Sequence, residues 1–238
     1  DDTEVDYVVD ASSLVKALSA LPKKGNATLE YVPNEDKPNW GTLHIKAGSA
    51  SVELPTMPAG NFPAPLLYTK GDIELQCTFT AGPFVETLKR LMPTRGTEKS
   101  VQPYLQGVNF KQKGGSIELC TTDSFRLAVE TITPNGKATY GEPGAVYIIP
   151  SGPPDLLLKA HKAKALTDDT KLSLVFTDRY VFIDAEGLRF AGRLLEGQFP
   201  QYERLINGLV PCVTIAGQAG DFAEALKDMK GVLLDKLG

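Results

Sequence analysis

The run Thr122-Asp123-Ser124-Phe125-Arg126 sets two hydroxyls, a carboxylate and a guanidinium within five positions. Such a set can attack or transfer protons only where a base reaches a hydroxyl. The chain holds two imidazoles, His44 and His161, neither near Ser124 in sequence and neither in a metal-ligand spacing. His44 stands in a strand-like run and His161 among lysines, so both read as surface residues. Asp123 reads as a turn-stabilising residue and not as a catalyst. Asp168-Asp169 and Glu35-Asp36 stand in turn-like contexts and read as solvated loops. Gly136-Lys137 lacks the earlier glycine and the following Ser or Thr of a phosphate-binding loop. Cys77, Cys120 and Cys212 are odd in number, far apart and in no CxxC pair, which argues against zinc and redox motifs and fits a reducing, cytoplasmic setting. No catalytic residue, metal or cofactor is expected. An enzyme using Asp123 and Arg126 is the least favoured reading.

The positioning elements come next. With 238 residues, 42% apolar and 23% charged, the chain is long enough for one or two domains with a sizeable core. No run approaches the ~18 apolar residues of a membrane span, and no signal peptide is visible. The chain opens without Met, so a processed or trimmed chain is expected.

Four segments share a phase. Tyr7-Val8-Val9, Cys77-Thr78-Phe79, Tyr147-Ile148-Ile149 and Val213-Thr214-Ile215 each read as a short strand before a turn and a helix start. Leu18, Leu88, Leu158 and Leu226 follow at intervals of 70, 70 and 68 residues. Leu14/Leu18, Phe84/Leu88 and Phe222/Leu226 hold the i, i+4 spacing of one helix face. Ser12 or Ser13, and Pro83, suit a first helical turn. Behind the helices come strand-like runs at 27–31, 42–47 and 49–54, at 106–112, 116–121 and 126–133, and at 172–176, 180–185 and 188–195. Lys113-Gly114-Gly115 and Ala185-Glu186-Gly187 mark turns among them. Each unit therefore reads strand, helix, three strands.

Phe62-Pro63 and Phe199-Pro200 lie 137 residues apart, about two periods, whereas the second unit ends in Thr133-Pro134-Asn135-Gly136-Lys137. A domain is then two units. The expected division is the second half of one domain at 1–66, a complete domain at 67–207 and the start of a third at 208–238. The phasing predicts a chain that begins and ends inside domains.

The helix-containing windows 11–24, 82–100, 153–166 and 219–236 hold 13 basic and 7 acidic residues, a surplus of six positive charges against ten negative in the remainder. Helices sharing one face could attract a phosphate backbone without reading bases; solvated helix faces are the plainer alternative.

Longer motifs carry a resemblance. Pro103-Tyr104-Leu105-Gln106-Gly107-Val108-Asn109-Phe110 and Thr121-Thr122-Asp123-Ser124-Phe125-Arg126-Leu127-Ala128-Val129 are similar to stretches of the bacterial DNA polymerase III beta subunit family, the sliding clamps. So are Glu196-Gly197-Gln198-Phe199-Pro200-Gln201-Tyr202-Glu203-Arg204-Leu205-Ile206 and Leu54-Pro55-Thr56-Met57-Pro58 through Phe62-Pro63. The resemblance spans essentially the whole chain. It implies an α+β clamp fold of strand-helix-three-strand units, with helices on an inner face and antiparallel sheets outside.

By family resemblance the function is a non-catalytic processivity factor that encircles duplex DNA. Its implied partners are double-stranded DNA without sequence preference, a replicative polymerase, a clamp loader and repair proteins with clamp-binding peptides, with a homodimeric ring in the complete protein and no membrane. The implied setting is bacterial cytoplasm, at the nucleoid. Leu105, Thr122, Ser124, Phe125, Arg126, Leu127, Pro200, Arg204 and Leu205 match the family's peptide groove; ordinary core packing is the alternative for Leu105, Leu127 and Leu205. Ser124-Phe125 replaces the family's usual Gly-His, which adds apolar character. Serines and glycine replace basic residues at the helix starts, so DNA contact falls to Lys16, Lys23, Lys24, Lys89, Arg90, Arg95, Lys99, Lys159, Lys162 and Lys164. A shortened relative that binds peptides without encircling DNA is the second reading.

Overall fold

Each of the first three repeats folds as a short strand, a helix and a three-stranded meander. The computed structural model describes residues 6–37, 40–97, 99–100, 102–136, 142, 144–214 and 216–234, the side chains of Asn61 and 230–234 excepted. Lys137, Ile215 and 235–238, on which parts of the sequence reading fall, lie outside them. The chain divides into two compact units, Asp1–Thr69 and Lys70–Gly238.

The first unit contains β1 (Tyr7–Val8), α1 (Ala11–Ala20), β2 (Thr28–Pro33), β3 (Gly41–Ala47) and β4 (Ala50–Pro58). They form one antiparallel sheet in the order β1-β4-β3-β2. Asp10 caps α1: its carboxylate accepts from Ser13 N at 2.8 Å, so the serines sit inside the first turn and the cap is the aspartate before them. Ala17 and Leu21 pack on Leu43, Ile45, Ala47 and Leu54.

The second unit continues with β5 (Leu75–Thr80), α2 (Ala81–Leu91), β6 (Val108–Lys113), β7 (Ser116–Thr122) and β8 (Leu127–Ile132). Then come β9 (Val146–Ile149), α3 (Gly152–Lys162), β10 (Lys171–Phe176), β11 (Tyr180–Ala185) and β12 (Leu188–Arg193), followed by α4 (Tyr202–Gly208) and α5 (Ala219–Leu234). Two-residue turns set three hairpins. Ala47 pairs Ala50, Lys113 pairs Ser116 and Ala185 pairs Leu188. Gly48, Gly114 and Gly187 supply the positive φ that such tight turns require.

The sheets of this unit run β12-β11-β10-β5 and β8-β7-β6-β9. β5, the opening strand of the second repeat, thus pairs with β10 of the third; β9, the opening strand of the third, pairs with β6 of the second. The sequence order within each repeat is as expected, but the repeats exchange their first strands. One core results, with Leu88, Leu91, Val108, Phe110, Leu119, Leu157, Leu172, Leu174 and Phe176 all essentially buried. Phe176 of β10 lies 4.6 Å, centroid to centroid, from Phe110 of β6 and equally from Tyr147 of β9, so aromatic rings join the two sheets. α2 and α3 pack against each other and on this core. Gly192 is needed where α3 begins, because a Cβ there would stand 2.7 Å from Pro153 Cγ and 2.9 Å from Pro150 Cγ.

Two expectations are corrected. Helix-containing windows read to 24, 100 and 166 hold helices that stop at Ala20, Leu91 and Lys162. Pro22 and Pro93 cannot continue a helix, and Lys164 takes the left-handed φ of 60°. Lys23, Lys24, Arg95, Lys99 and Lys164 therefore lie past helix ends. In the fourth repeat no strand forms at Val213, Thr214 or Ala216. A short strand has no stability without a hydrogen-bonded neighbour, and none lies beside it among the described residues.

The buried aromatic junction sets the expected cost of Phe176→Ala at about 3–5 kcal/mol of unfolding free energy. Leu29→Ala, on the exposed face of β2, should change it by under ~1 kcal/mol. Urea unfolding of the two variants measures both, and equal losses would contradict the core described.

Candidate functional site

Strand alternation divides the side chains of sheet β8-β7-β6-β9 between two faces. Val108, Phe110, Ile117 and Leu119 enter the core. Asn109, Lys111 and Lys113 on β6, and Glu118, Cys120 and Thr122 on β7, take the outer face. The register sets Leu127 opposite Thr122, and Val129 opposite Cys120, on that same face. Thr122 and Leu127, both assigned to the peptide groove by the resemblance, are thus direct cross-strand neighbours.

The loop joining β7 to β8 is tied by Asp123. Its Oδ1 accepts from Phe125 N at 3.0 Å and Arg126 N at 2.7 Å. Its Oδ2 accepts from Arg126 Nε at 3.0 Å and Nη2 at 2.7 Å. Thr122 Oγ1 donates to Arg126 O and accepts from Ser124 N. These bonds hold Ser124 at φ 77°, a conformation that favours glycine. Phe125 is driven to the tip, 95% exposed. The guanidinium hydrogen bond and the backbone amides hold the Asp123 carboxyl down at about 2, against an ordinary 3.8. Asp123 is thereby a loop tie, and Arg126 is pre-oriented by it.

The segment after β12 crosses to the same outer face. Gly197 adopts φ 134°, where a Cβ would meet the Tyr104 ring at 2.6 Å. α4 then lands on the sheet through two residues. Tyr202 is 3% exposed and its hydroxyl donates to Glu118 Oε1 at 2.6 Å. Glu203 accepts from Lys111 and lies 3.4 Å from Lys113 Nζ, which also donates to Glu118 Oε2 at 2.7 Å. Burial, then the Glu118 hydrogen bond, push the Tyr202 phenol far up; the Lys111 hydrogen bond lowers Glu203. Lys113 is raised, chiefly by its bond to Glu118. These five polar residues were not singled out from sequence. The signal that could have found them is the outward phase of Glu118 on β7 and the Tyr-Glu pair opening α4.

α4 also carries Arg204 and Leu205, the latter 67% exposed, and follows Pro200. Leu127 is 37% exposed. Leu105 differs: it is buried in a 3-10 turn at Pro103–Gln106, its carbonyl accepting from Gly96 N at 2.7 Å. Of the residues that the resemblance assigns to a peptide groove, Thr122, Ser124, Phe125, Arg126 and Leu127 share one loop and its flanking strands, and α4 is fixed on the face they border.

Among the described residues no cluster of His, Cys, Asp and Glu could hold a metal. Burial pushes the Cys77 and Cys120 thiols up to about 12, far from thiolate reactivity. His161 Nε2 meets Asp168 Oδ1 at 2.7 Å and His44 Nδ1 meets Glu53 Oε1 at 3.3 Å. No described helix is long and apolar enough to cross a membrane.

The basic residues fall into two groups. Lys89 pairs with Glu86, Arg90 with Glu130 and Arg95 with Asp155. Lys16, Lys23, Lys24, Lys159, Lys162 and Lys164 have no carboxylate within 4 Å among the described residues, and Lys99 is exposed beside the undescribed Glu98.

Residues 94–201 match the family model for the central domain of the DNA polymerase III beta subunit. A beta sliding clamp of Pseudomonas putida is 24% identical over 202 residues, 84% of this chain and 50% of that protein. The crystal structure of the DNA polymerase III subunit beta from Pseudomonas aeruginosa superposes with a TM-score of 0.71 at 21% identity, over 92% of this chain and 55% of that one. The Helicobacter pylori beta clamp bound to a DNA ligase peptide gives 0.68 at 21% identity, over 87% and 53%. At this identity the structures establish the fold. The chain spans about half the length of the curated relatives it matches.

A carboxyl lowered by its fold adds stability above its ordinary range and loses that share as pH falls through the folded value. Asp123 should therefore titrate by NMR near 2, and the midpoint should rise towards 3.8 in Arg126→Ala. An unmoved midpoint would remove Arg126 as the main cause. Tyr202→Phe should cost about 1–2 kcal/mol in urea unfolding and speed amide exchange across 202–208; unchanged exchange would sink the anchoring role.

Proposed function

Since this chain belongs to the DNA polymerase III beta sliding clamp family, we propose that it is part of a non-catalytic sliding clamp that encircles duplex DNA and tethers its partners. In this reading 1–66 is the second half of clamp domain 1, 67–207 is domain 2 and 208–238 opens domain 3. The compact-unit boundary after Thr69 supports the first division. Partners are sequence-independent duplex DNA, the replicative polymerase, the clamp loader and repair proteins carrying clamp-binding peptides.

The observation that carries the reading is the pairing of α2 with α3 on one core, with Lys89, Lys159 and Lys162 on exposed positions. Mobile ammonium groups on a helix surface neutralise phosphates without selecting bases. The peptide side rests on the outer face of β8-β7-β6-β9. There Thr122, Ser124, Phe125, Arg126 and Leu127 line one border, and Pro200, Arg204 and Leu205 belong to the segment laid across it. Apolar walls and a pre-oriented guanidinium suit a short peptide with apolar anchors and a polar rim.

The intramolecular pairing of Lys89, Arg90 and Arg95 favours testing the second reading, an adaptor that binds peptides without encircling DNA. With the clamp loader, the complete protein should stay on circular duplex and leave after linearisation. Lys159→Glu with Lys162→Glu should weaken low-salt binding of this chain to duplex DNA by about tenfold or more and flatten its salt dependence. Peptide affinity without salt-sensitive DNA affinity would select the adaptor.

A further inference from the structure

The Asp123 loop stands at the β7-β8 end of its sheet. At the β6-β9 end a cavity of about 690 Å³ opens against the segment that runs from β12 to α4. That volume suits a small-molecule ligand. Pro200 alone is common to the cavity and to the residues that the resemblance assigns to a peptide groove. Asn109 is the most buried residue of the lining, 1% exposed, and its carboxamide oxygen has no hydrogen-bond partner among the described residues. A buried polar atom left unpaired carries a desolvation cost that a bound donor would remove. The register explains the vacancy of partners: Asn109 lies opposite Cys120 on β7 and Ile148 on β9, a thiol and an alkyl group.

The charged groups of the lining are of two kinds. Lys111 donates to Glu203, and Glu74 is bonded by the Tyr147 hydroxyl, so these are engaged beside the buried part of the sheet. Arg179 and Arg193 are brought together at the mouth, because Arg193 pairs with Tyr180 and Leu194 N donates to Arg179 O at 2.8 Å. Arg179 Nε meets Asp178 at 3.2 Å and Arg193 Nη2 meets Glu196 at 3.3 Å. Both carboxylates are near neighbours in sequence, and all four side chains are mostly exposed. Such pairs are weak, and an incoming anion displaces the carboxylates readily. Between floor and mouth, Leu195, Phe199 and Pro200 supply half-buried apolar wall.

We propose that this cavity binds an adenine nucleotide, with the Asn109 carboxamide on the base and Arg179 and Arg193 on the phosphate. A carboxamide sets an acceptor beside a donor, and adenine sets its N6 amino donor beside the N7 acceptor, so the two edges pair twice. The broad χ2 well of asparagine lets the amide turn to meet the base. Guanine offers acceptors at both O6 and N7 and leaves the Asn109 oxygen unpaired. Phe199 and Pro200 give the base a flat apolar surface to lie on, and the guanidinium forks match phosphate oxygens. The site is built within one compact unit and needs no encirclement of DNA.

The test titrates the full 238-residue chain with adenosine monophosphate by calorimetry, with guanosine monophosphate, adenosine and inorganic phosphate as separate titrants. Adenosine monophosphate should saturate a single site, and guanosine monophosphate should bind about tenfold or more weaker. Arg179→Gln with Arg193→Gln, both at exposed positions, should lower the affinity for the nucleotide to that for adenosine and leave adenosine unchanged. Asn109→Leu should abolish the preference for adenine over guanine, with circular dichroism checking its fold. Amide NMR shifts on adding the nucleotide should centre on 146–148 and 194–201. Absence of saturable binding overturns the proposal. So does equal affinity for the two bases, inorganic phosphate binding as tightly as the nucleotide, indifference to the arginine pair, or shifts centred on 122–127 or on the lysines of α2 and α3.

Discussion

Neither sheet of the second unit is made by one repeat: β5 closes the sheet of the third repeat, and β9 closes that of the second. This reciprocal loan is the constraint from which the rest follows. A three-stranded meander with one helix leaves an edge and a helix flank uncovered. Exchanging the opening strands covers an edge in each sheet and carries α2 and α3 into contact, because each helix begins where its borrowed strand ends. The resulting core is continuous, and Phe110, Tyr147 and Phe176 meet within it although they come from two sheets. The contrast between Leu88 at 2% exposure and Leu18 at 49% measures what the exchange accomplishes at equivalent positions.

The outer face of β8-β7-β6-β9 is a by-product of that core. Once Val108, Phe110, Ile117 and Leu119 are committed inward, the alternate residues of β6 and β7 must face outward. They include Glu118, Lys111 and Lys113, which α4 meets through Tyr202 on Glu118 and Glu203 on the two lysines. Burying Glu118 beside an apolar ring would be costly without partners; a phenol and an ammonium supply them. The Asp123 loop solves a smaller problem by the same means. Two backbone amides and a guanidinium are collected by one carboxylate, and the strain at Ser124 is carried by those four bonds.

Much of this was legible in the sequence because it is local or periodic. The leucine phase gave the helices, and Gly114 and Gly187 gave their turns. Asp123 was readable as a turn former from its type and context. The strand exchange was not legible, since strand-like Cys77–Thr80 reads the same whichever sheet it joins. Exposure was also hidden. Leu105, Leu127 and Leu205 look alike as letters, but only Leu105 is buried, because it lies in a 3-10 turn tucked against Gly96. Lys23, Lys24, Arg95 and Lys99 follow Pro22 and Pro93 and so lie past the ends of α1 and α2. The polar anchoring of α4 needed two segments about 84 positions apart, Glu118 and Tyr202, to be seen together.

The same limit applies to reading DNA contact from a count of charges. A surplus of positive residues near helices says nothing about which are already engaged. Lys89–Glu86 and Arg90–Glu130 are partners at the surface, where an ion pair holds together by only about 0–1 kcal/mol. A phosphate can displace such a carboxylate at little cost, so these two cations remain usable. Arg95–Asp155 is different in kind. Both side chains are about a third exposed, and the pair ties the segment after α2 to the first turn of α3. Breaking it would loosen the junction of the helices that present the charge. In the proposed reading the basic surface of helices α2 and α3 is therefore Lys89, Arg90, Lys159 and Lys162, with Arg95 serving to hold the two helices in register.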